Sequence, residues 1–265
     1  MKSNNDQRYE GNTRKSLESI DRYRAPALDK GLDILELLSK QNCGLTRTEI
    51  MNELGRKSSE IYRMLERLVA RRYVTRSTGG DRYTLGLKLF ALTHQHPPMS
   101  RIISEALPLM QCFADDAEQS CYLSVYDRGN LLVIAQVDGR PCGVSVRLGS
   151  RVALADTAAG RVMLAFQSPK QRAQMVAEHR NVTGEVALNE QELTHACQSI
   201  RQTGFLRQDN RQMYGVIDLS VPILGPSGEA VAVITCPYLR RTDSSTVGSV
   251  DATLEQLRHT AGRFS

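Results

Sequence analysis

The side chains with the clearest capacity for chemistry lie between positions 58 and 82. They are hydroxylated or basic: Ser58, Ser59, Tyr62, Arg63, Arg67, Arg76 and Arg82. Guanidinium groups bind phosphate and the edge of guanine, and hydroxyl groups donate to phosphate, so this set predicts a DNA contact. The charge agrees, because residues 1–95 carry 18 Lys and Arg against 12 Asp and Glu, whereas residues 96–265 carry 16 against 17. For Arg67, an ordinary solvated surface explains the charge equally well.

Other chemistries lack their motifs in this sequence. The six cysteines are scattered without a CxxC pair, which favours reduced thiols in the cytoplasm over zinc ligands. His94 and His96 have no third ligand nearby, so a polar linker explains them better than a metal site. The sequence holds no P-loop, GxGxxG turn or GxSxG elbow, and we therefore expect no metal, no cofactor and no enzymatic activity. The lack of an export signal and of an apolar run of roughly 20 residues predicts a cytoplasmic protein outside the membrane.

Periodicity and capping predict the elements that must position the basic set. Three helices and two strands are expected, over residues 27–40, 47–54, 60–71, 73–75 and 82–85. Thr46 and Glu49 form a capping box ahead of the second helix, and Ser59 is expected to cap the third. The two strands flank a glycine-rich tip, as in a hairpin. This order predicts a winged helix-turn-helix, and the alternative is a generic helical cap with a hairpin.

The rest of the chain alternates helices with strands. Strands are predicted over 122–126, 131–137, 144–147, 205–208, 217–223 and 230–236, and helices over 86–92, 99–117, 157–166, 169–179, 190–202 and 246–262. Hairpin-linked strands with helices outside them indicate an α+β domain built on an antiparallel sheet. The expected organisation is a disordered arm over 1–24, a DNA-binding domain over 25–86, a linker over 87–98 and an effector-binding domain over 99–265.

Taken in order, five segments of the chain resemble the IclR-type bacterial transcriptional regulators over roughly residues 25–262. They are ALDKGLDILELL, LTRTEIMNELGRKSSEIYRMLERLVARRYVTR, DRYTLGLKLF, RLGSRVALADTAAGRVMLA and GFLRQDNRQMYGVIDLSVPILGPSGEAVAVIT. The resemblance implies a winged helix-turn-helix joined by a linker helix to a GAF/profilin-like effector domain. It also implies a homodimer or tetramer that binds a palindromic operator, responds to a small-molecule effector and controls a catabolic operon, for instance as a repressor. Residues 27–40 and 87–92 would form the dimer contact.

Around the third helix the chain departs from the family pattern. Arg56-Lys57-Ser58 stands where Leu-Pro-Lys is usual, Glu60 where Thr is common and Tyr62 where His is common. The operator sequence of a relative therefore cannot be transferred to this chain. Within this helix Arg63 is the leading candidate for contacting guanine or gripping phosphate, while Arg76 and Arg82 suit phosphate contacts that carry no base information.

The resemblance also implies where the effector binds. The residues concerned are Asp156, Thr157, Ala158, Gly160, Arg211, Asp218 and Thr235. Many members bind small carboxylates, but Asp156 and Asp218 would together repel such an anion if both face the cavity. Because carboxylates accept hydrogen bonds from hydroxyl groups, a sugar is the expected effector, or a sugar acid held by Arg211.

Several alternatives stay open for this site. Asp156 could cap the helix that begins at Thr157, or pair with Arg147 or Arg161, instead of meeting a ligand. The effector could be an aromatic or small keto acid. The protein could also be an effector-independent DNA-binding protein.

Overall fold

The computed structural model describes residues 25–139, 143–179, 190–240 and 248–264. The chain divides into two units, of which the first extends to Pro97 and the second begins at Pro98. The predicted arm over 1–24 lies outside the described residues. Within the described part of the chain, no helix is both long enough and apolar enough to cross a membrane.

The first unit has the predicted order of three helices followed by a hairpin. Its elements are α1 (Pro26–Ser39), β1 (Leu45–Thr46), α2 (Arg47–Leu54), α3 (Ser58–Ala70), β2 (Val74–Arg76), β3 (Arg82–Leu85) and α4 (Lys88–Gln95). The three strands form one antiparallel sheet in the order β1-β3-β2. β2 and β3 are the wing, and α2 and α3 are the two helices of the helix-turn-helix.

A single apolar core holds this unit together. Ile34 from α1, Ile50 from α2, and Ile61 and Leu65 from α3 are all fully buried against Tyr83 of the wing. The helix-turn-helix is therefore anchored by one side of each helix, which leaves the opposite side of α3 exposed.

Local capping fixes where the first helix of the motif begins and ends. The Thr46 hydroxyl accepts the backbone N–H of Glu49, and the Glu49 carboxylate accepts the backbone N–H of Thr46, so the predicted capping box is present. Gly55 ends α2 at a φ of 59°, a left-handed conformation that glycine adopts without strain. The prediction that Ser59 caps α3 is wrong, because α3 begins at Ser58 after Lys57 and no side chain caps it.

The second unit is a six-stranded antiparallel sheet with helices on both faces. Its helices are α5 (Pro97–Ala117), α6 (Ala158–Ala165), α7 (Pro169–Glu178), α8 (Glu190–Thr203) and α9 (Val250–Gly262). Its strands are β4 (Cys121–Asp127), β5 (Asn130–Val137), β6 (Arg151–Ala153), β7 (Leu206–Asp209), β8 (Val216–Leu224) and β9 (Ala230–Leu239). The strand order is β6-β5-β4-β9-β8-β7, with every neighbouring pair antiparallel, which confirms the predicted α+β class.

The expected strand over 144–147 is wrong. That segment has no strand in the structure, and β6 forms at Arg151–Ala153, where Val152 pairs with Leu131 of β5. The alternation of Val144 and Val146 imitates a strand in the sequence. Pairing with a neighbouring strand, which a single segment does not reveal, decides the outcome.

The two faces of the sheet have different coverings. On one face the side chains of β8 and β9 such as Leu219 and Ile234 pack among apolar residues of α5 and α9, including Met110 and Leu257. On the other face, Leu131 and Val233 belong to a second apolar cluster with α6, α7 and α8. The central strands are consequently buried on both sides, and β8 is buried from Val216 to Ile223.

The helix α6 is held closely at both ends. The Thr157 side chain is its N-cap, because its hydroxyl accepts the backbone N–H of Gly160 and donates to the carbonyl of Ala153. At the other end the guanidinium groups of Arg172 and Arg201 donate to backbone carbonyls of the last turn and of Gln167. The cap is Thr157 rather than Asp156, so the alternative interpretation of Asp156 as the cap is wrong.

A glycine at position 160 is required by the close approach of α6 to the chain that precedes it. A Cβ at Gly160 would collide with the backbone carbonyl of Leu154, whereas a Cβ at Gly262 in α9 would meet no atom within 4 Å. We therefore expect Gly160→Ala to lower the free energy of unfolding by ~1–3 kcal/mol through overpacking. Gly262→Ala should leave it unchanged or raise it by ~0.5–1 kcal/mol. Urea unfolding followed by circular dichroism compares the variants, and equal stabilities would contradict the proposed contact.

Candidate functional sites

The outward face of α3 carries four of the predicted DNA-binding residues. Ser59, Tyr62, Arg63 and Arg67 are all exposed, while the buried stripe of the same helix faces the core. Arg63 lies directly opposite that stripe, because two residues from Ile61 correspond to about 200° of helical rotation. Ser58, at the first position of the helix, is also exposed. The side chains are thus placed where a groove of DNA could reach them.

One of the two acidic residues on α3, Glu60, is paired with the first helix. The Glu60 carboxylate lies 2.9 Å from Lys30 Nζ on α1, and this hydrogen bond is the main cause of the lowered pKa of Glu60. A carboxylate on a DNA-facing helix would repel phosphate. Its pairing with Lys30 directs that charge toward α1 and away from Arg63.

The two wing arginines have partners within the protein. Arg76 donates to the carbonyl of Gly80, and its guanidinium group lies 5.6 Å from the centre of the Tyr83 ring and 3.9 Å from Glu66. Arg82 donates to the carbonyl of Gly44 over 2.6 Å and lies 3.6 Å from Glu49. These contacts hold the arginines in place, and both remain exposed.

An apolar groove of about 430 Å³ runs between α1 and α3. The groove is lined by residues of α1 and α3, by Arg71 directly after α3, by Tyr73 and by Leu89 of α4. The lining residues of α1 are Ala27, Leu28, Gly31, Leu32 and Leu35, and those of α3 are Met64, Arg67 and Leu68. Leu28 and Leu32 are 60% and 46% exposed, and Phe90 of α4 is 64% exposed. Arg67 therefore borders this groove as well as the outward face of α3.

In the second unit, polar side chains lie together on the face of the sheet that α6 covers. Asp218 and Ser220 alternate with apolar residues along β8, and the Ser220 hydroxyl lies 2.9 Å from that of Thr235 on β9. Tyr122 of β4 pairs with Thr235 in register, which places the two side chains on the same face of the sheet. These four residues, here called the polar cluster, are all at least nine-tenths buried.

The carboxylate of the polar cluster is held by a single amide. Asn210 Nδ2 lies 3.1 and 3.0 Å from the two oxygens of Asp218, while Asn210 Oδ1 accepts the backbone N–H groups of Gln212 and Met213. Burial raises the pKa of Asp218, and the hydrogen bond from Asn210 only partly opposes that rise. Burial, together with the negative charge of Asp218, also raises the pKa of Tyr122.

The remaining predicted effector residues surround the beginning of α6. Ala158 and Gly160 are buried, and the hydroxyl of Thr157 is already engaged in capping. Arg211 Nη1 lies 2.7 Å from Asp156 Oδ1, so Asp156 pairs with Arg211 rather than with Arg147 or Arg161. This ion pair links the start of α6 to the loop after β7. Gln208 of β7 adds a hydrogen bond to the Asp156 carbonyl.

The comparisons with known proteins cover both units. A family model described as "Bacterial transcriptional regulator IclR C-terminal" matches residues 98–265, and one described as "IclR helix-turn-helix domain" matches residues 27–78. The first match alone spans more than half of the chain. The chain belongs to the IclR family of bacterial transcriptional regulators.

Relatives of this IclR-family chain are distant in sequence and close in fold. The HTH-type transcriptional regulator BhcR of Paracoccus denitrificans is 26% identical over 240 residues, covering 88% of this chain and 85% of BhcR. XynR of Escherichia coli is 21% identical, covering 87% and 93%. An IclR homologue of Microbacterium hydrocarbonoxydans, solved with 4-hydroxybenzoate, has a TM-score of 0.73 at 20% identity, covering 89% and 96%. The chain is accordingly a DNA-binding transcriptional regulator with an effector-binding domain, and it is not an enzyme.

The polar cluster of this IclR-family domain contains residues that sequence reasoning missed. Ser220 could have been found, because it stands two positions after Asp218 on a strand whose apolar residues alternate with them. Tyr122 gave no such signal, since it lies on a strand far away in the sequence, and neither did Asn210, which bonds to Asp218 from the loop after β7. Of the predicted residues, the structure brings Asp218 and Thr235 into the cluster and pairs Asp156 with Arg211 beside α6.

Proposed function

We propose that this regulator controls a catabolic operon in response to a small hydroxylated metabolite, a sugar or a sugar acid. The observation that carries the proposal is the buried carboxylate of Asp218 beside the hydroxyl groups of Tyr122, Ser220 and Thr235. Such a surface offers acceptors and exchangeable donors together, which is the complement of a ligand rich in hydroxyl groups.

The incomplete hydrogen bonding of the Asp218 carboxyl group supports this effector class. An ionised carboxylate can accept about four hydrogen bonds, and one amide group of Asn210 supplies the donors that Asp218 receives among the described residues. The raised pKa of Asp218 indicates that its ionised form is insufficiently stabilised. Ligand hydroxyl groups would donate to the remaining lone pairs and stabilise that form. A simple carboxylate ligand would instead place a second negative charge beside the first.

A sugar acid requires one cationic group, and Arg211 is the proposed one. Its guanidinium group is half exposed and bonded to Asp156. A ligand carboxylate could share the fork of Arg211 donors with Asp156 or replace it. Thr157, Ala158 and Gly160 remain in the proposal as the start of the helix nearest to the ligand.

An aromatic acid is the second candidate effector. A solved relative of the same fold was crystallised with 4-hydroxybenzoate, and the phenol of Tyr122 offers this chain an aromatic contact within the polar cluster. A small keto acid, or the absence of any effector, is the third possibility. Ligand binding measured directly distinguishes these cases.

The effector prediction is tested on the purified full chain. We expect a thermal-shift screen to select a sugar or sugar acid over 4-hydroxybenzoate and pyruvate, because a ligand that binds only the folded state raises its stability. Asp218→Asn should lower the affinity for the selected ligand by on the order of tenfold, because a charged hydrogen-bond acceptor is lost. Asp251→Asn, which removes an exposed carboxylate, is the control. Selection of the aromatic acid with no effect of Asp218→Asn would contradict the proposal.

We also propose that two copies join through the first unit. The exposed leucines of α1 and the apolar groove beside them form the contact, with Leu89 and Phe90 of α4 adjoining it. One winged helix contacts too little DNA for a long specific site, so a pair of copies on a palindrome is expected.

Leu32→Glu should weaken this assembly, because it places a charge in an apolar contact that excludes water. Light scattering at micromolar concentration should show a dimer or tetramer for the parent chain and smaller particles for Leu32→Glu. Leu224→Glu, at an equally exposed leucine of the second unit, is the control. A monomeric parent chain would refute the assembly.

DNA recognition is proposed to depend on Arg63, with Ser58, Ser59, Tyr62 and Arg67 around it. Arg63→Ala should weaken binding to the operator by ~1–3 kcal/mol and relax the preference at one base position. Alanine in place of Arg76 or Arg82 of the wing should lower the affinity for all duplexes alike and reduce the salt dependence of binding. The operator is obtained by selection from a random duplex pool, and affinities are measured at several salt concentrations. Unchanged affinity and preference in Arg63→Ala would show that α3 is oriented differently on DNA.

A further inference from the structure

We propose that Arg47, held over the ring of Tyr62, is a further DNA contact of this regulator and binds a backbone phosphate. The inference rests on the DNA-binding function of the first unit. It also changes the role of Tyr62, which acts as a support for Arg47 rather than as a residue that contacts a base. The deciding observation is the guanidinium carbon of Arg47, 5.6 Å from the centre of the Tyr62 ring.

The backbone beneath Arg47 is fixed. Arg47 is the first residue of α2, directly after the Thr46 cap, and the reciprocal bonds between Thr46 and Glu49 hold that turn. In helix-turn-helix proteins the first helix of the motif crosses the DNA backbone, while the second enters the groove. A basic side chain at the start of α2 is therefore placed toward phosphate rather than toward base edges.

The side chain of Arg47 is oriented by Tyr62. A cation within about 6 Å of an aromatic centre is attracted to the ring face, and arginine can stack there while its N–H groups stay available. Tyr62 is itself 46% exposed on α3, so the ring leaves this cation at the surface. Ordering the guanidinium group before binding lowers the entropy lost when DNA arrives.

Arg47 differs in its hydrogen bonding from three other arginines of this unit, whose donors are already engaged. Arg56 donates to Asp33, Arg76 to Gly80 and Arg82 to Gly44. Among the described residues, no acceptor receives a hydrogen bond from Arg47. Its N–H groups are consequently available to a phosphate without the loss of an internal bond, and their fork geometry fits two phosphate oxygens.

The test uses the full chain and two duplexes, one selected from a random pool by the parent protein and one with the same bases scrambled. Arg47→Ala should lower the affinity for both duplexes by on the order of tenfold, with the preference between them unchanged. The slope of log affinity against log salt should fall by about one for each head that binds, because one phosphate contact releases about one counterion. Lys40→Ala, which removes an exposed charge at the end of α1, is the control and should change neither quantity comparably.

The role of the ring is tested by a double-mutant cycle. Tyr62→Phe keeps the aromatic ring and should bind DNA almost as tightly as the parent chain does. Tyr62→Leu removes the ring and should lose much of the DNA affinity that Arg47→Ala loses. The double variant Tyr62→Leu with Arg47→Ala should bind DNA little more weakly than Arg47→Ala alone, since both changes remove the same interaction. Thermal unfolding of each variant separates a loss of folding from a loss of binding, because a purely structural contact would lower the melting temperature and leave the salt slope unchanged.

The outcomes separate this inference from the function on which it rests. A parent chain that selects no sequence and binds no duplex would overturn the DNA-binding function itself. A parent chain that binds while Arg47→Ala keeps its affinity and salt slope would overturn the inference alone. A loss of preference at one base position in Arg47→Ala, or in Tyr62→Phe, would also overturn it, because a phosphate contact supported by the ring predicts neither.

Discussion

Burial of both faces of the central sheet is the constraint on which the second unit depends. Strands covered by helices on either side are shielded from water, so a polar side chain on them needs a partner within the protein. The hydroxyls of Ser220 and Thr235 meet this need by bonding to each other, and Asp218 meets part of it through Asn210. A site that is incompletely satisfied in this way costs stability in the free protein. If the proposed effector binds here, its hydroxyl groups would supply the missing donors and that cost would be recovered as affinity.

The helix α6 supplies the second wall of that region, and its rigidity has an identifiable origin. Thr157 closes its first turn, while Arg172 and Arg201 satisfy carbonyl groups that the end of the helix leaves without partners. The absence of a side chain at Gly160 lets the helix lie against the preceding chain. Together these contacts fix where Asp156 and the first turn of α6 stand.

Local interactions were predictable from the sequence only in part, since the Thr46 cap is confirmed and the Ser59 cap is wrong, and contacts between distant segments were largely not predictable. The capping box of Thr46 and Glu49 is confirmed because its partners are three residues apart. The strand expected over 144–147 was wrong because a suitable alternation of side chains does not provide a neighbouring strand. Tyr122 enters the polar cluster through the order of the strands, and Asn210 reaches Asp218 from a loop; the residues around them in the sequence predict neither contact. Family resemblance supplied the overall architecture, but it could not supply these partners.

The division of α3 into two faces has a consequence for how such regulators diverge. Stability depends on Ile61 and Leu65, which lie in the core, whereas Ser59 and Arg63 are exposed. Substitutions at exposed helix positions usually alter stability by less than about 0.5 kcal/mol. A duplicated gene could therefore drift toward a new target sequence through the exposed face while its product still folds. The same separation makes this helix a practical starting point for directed evolution of regulators with new targets.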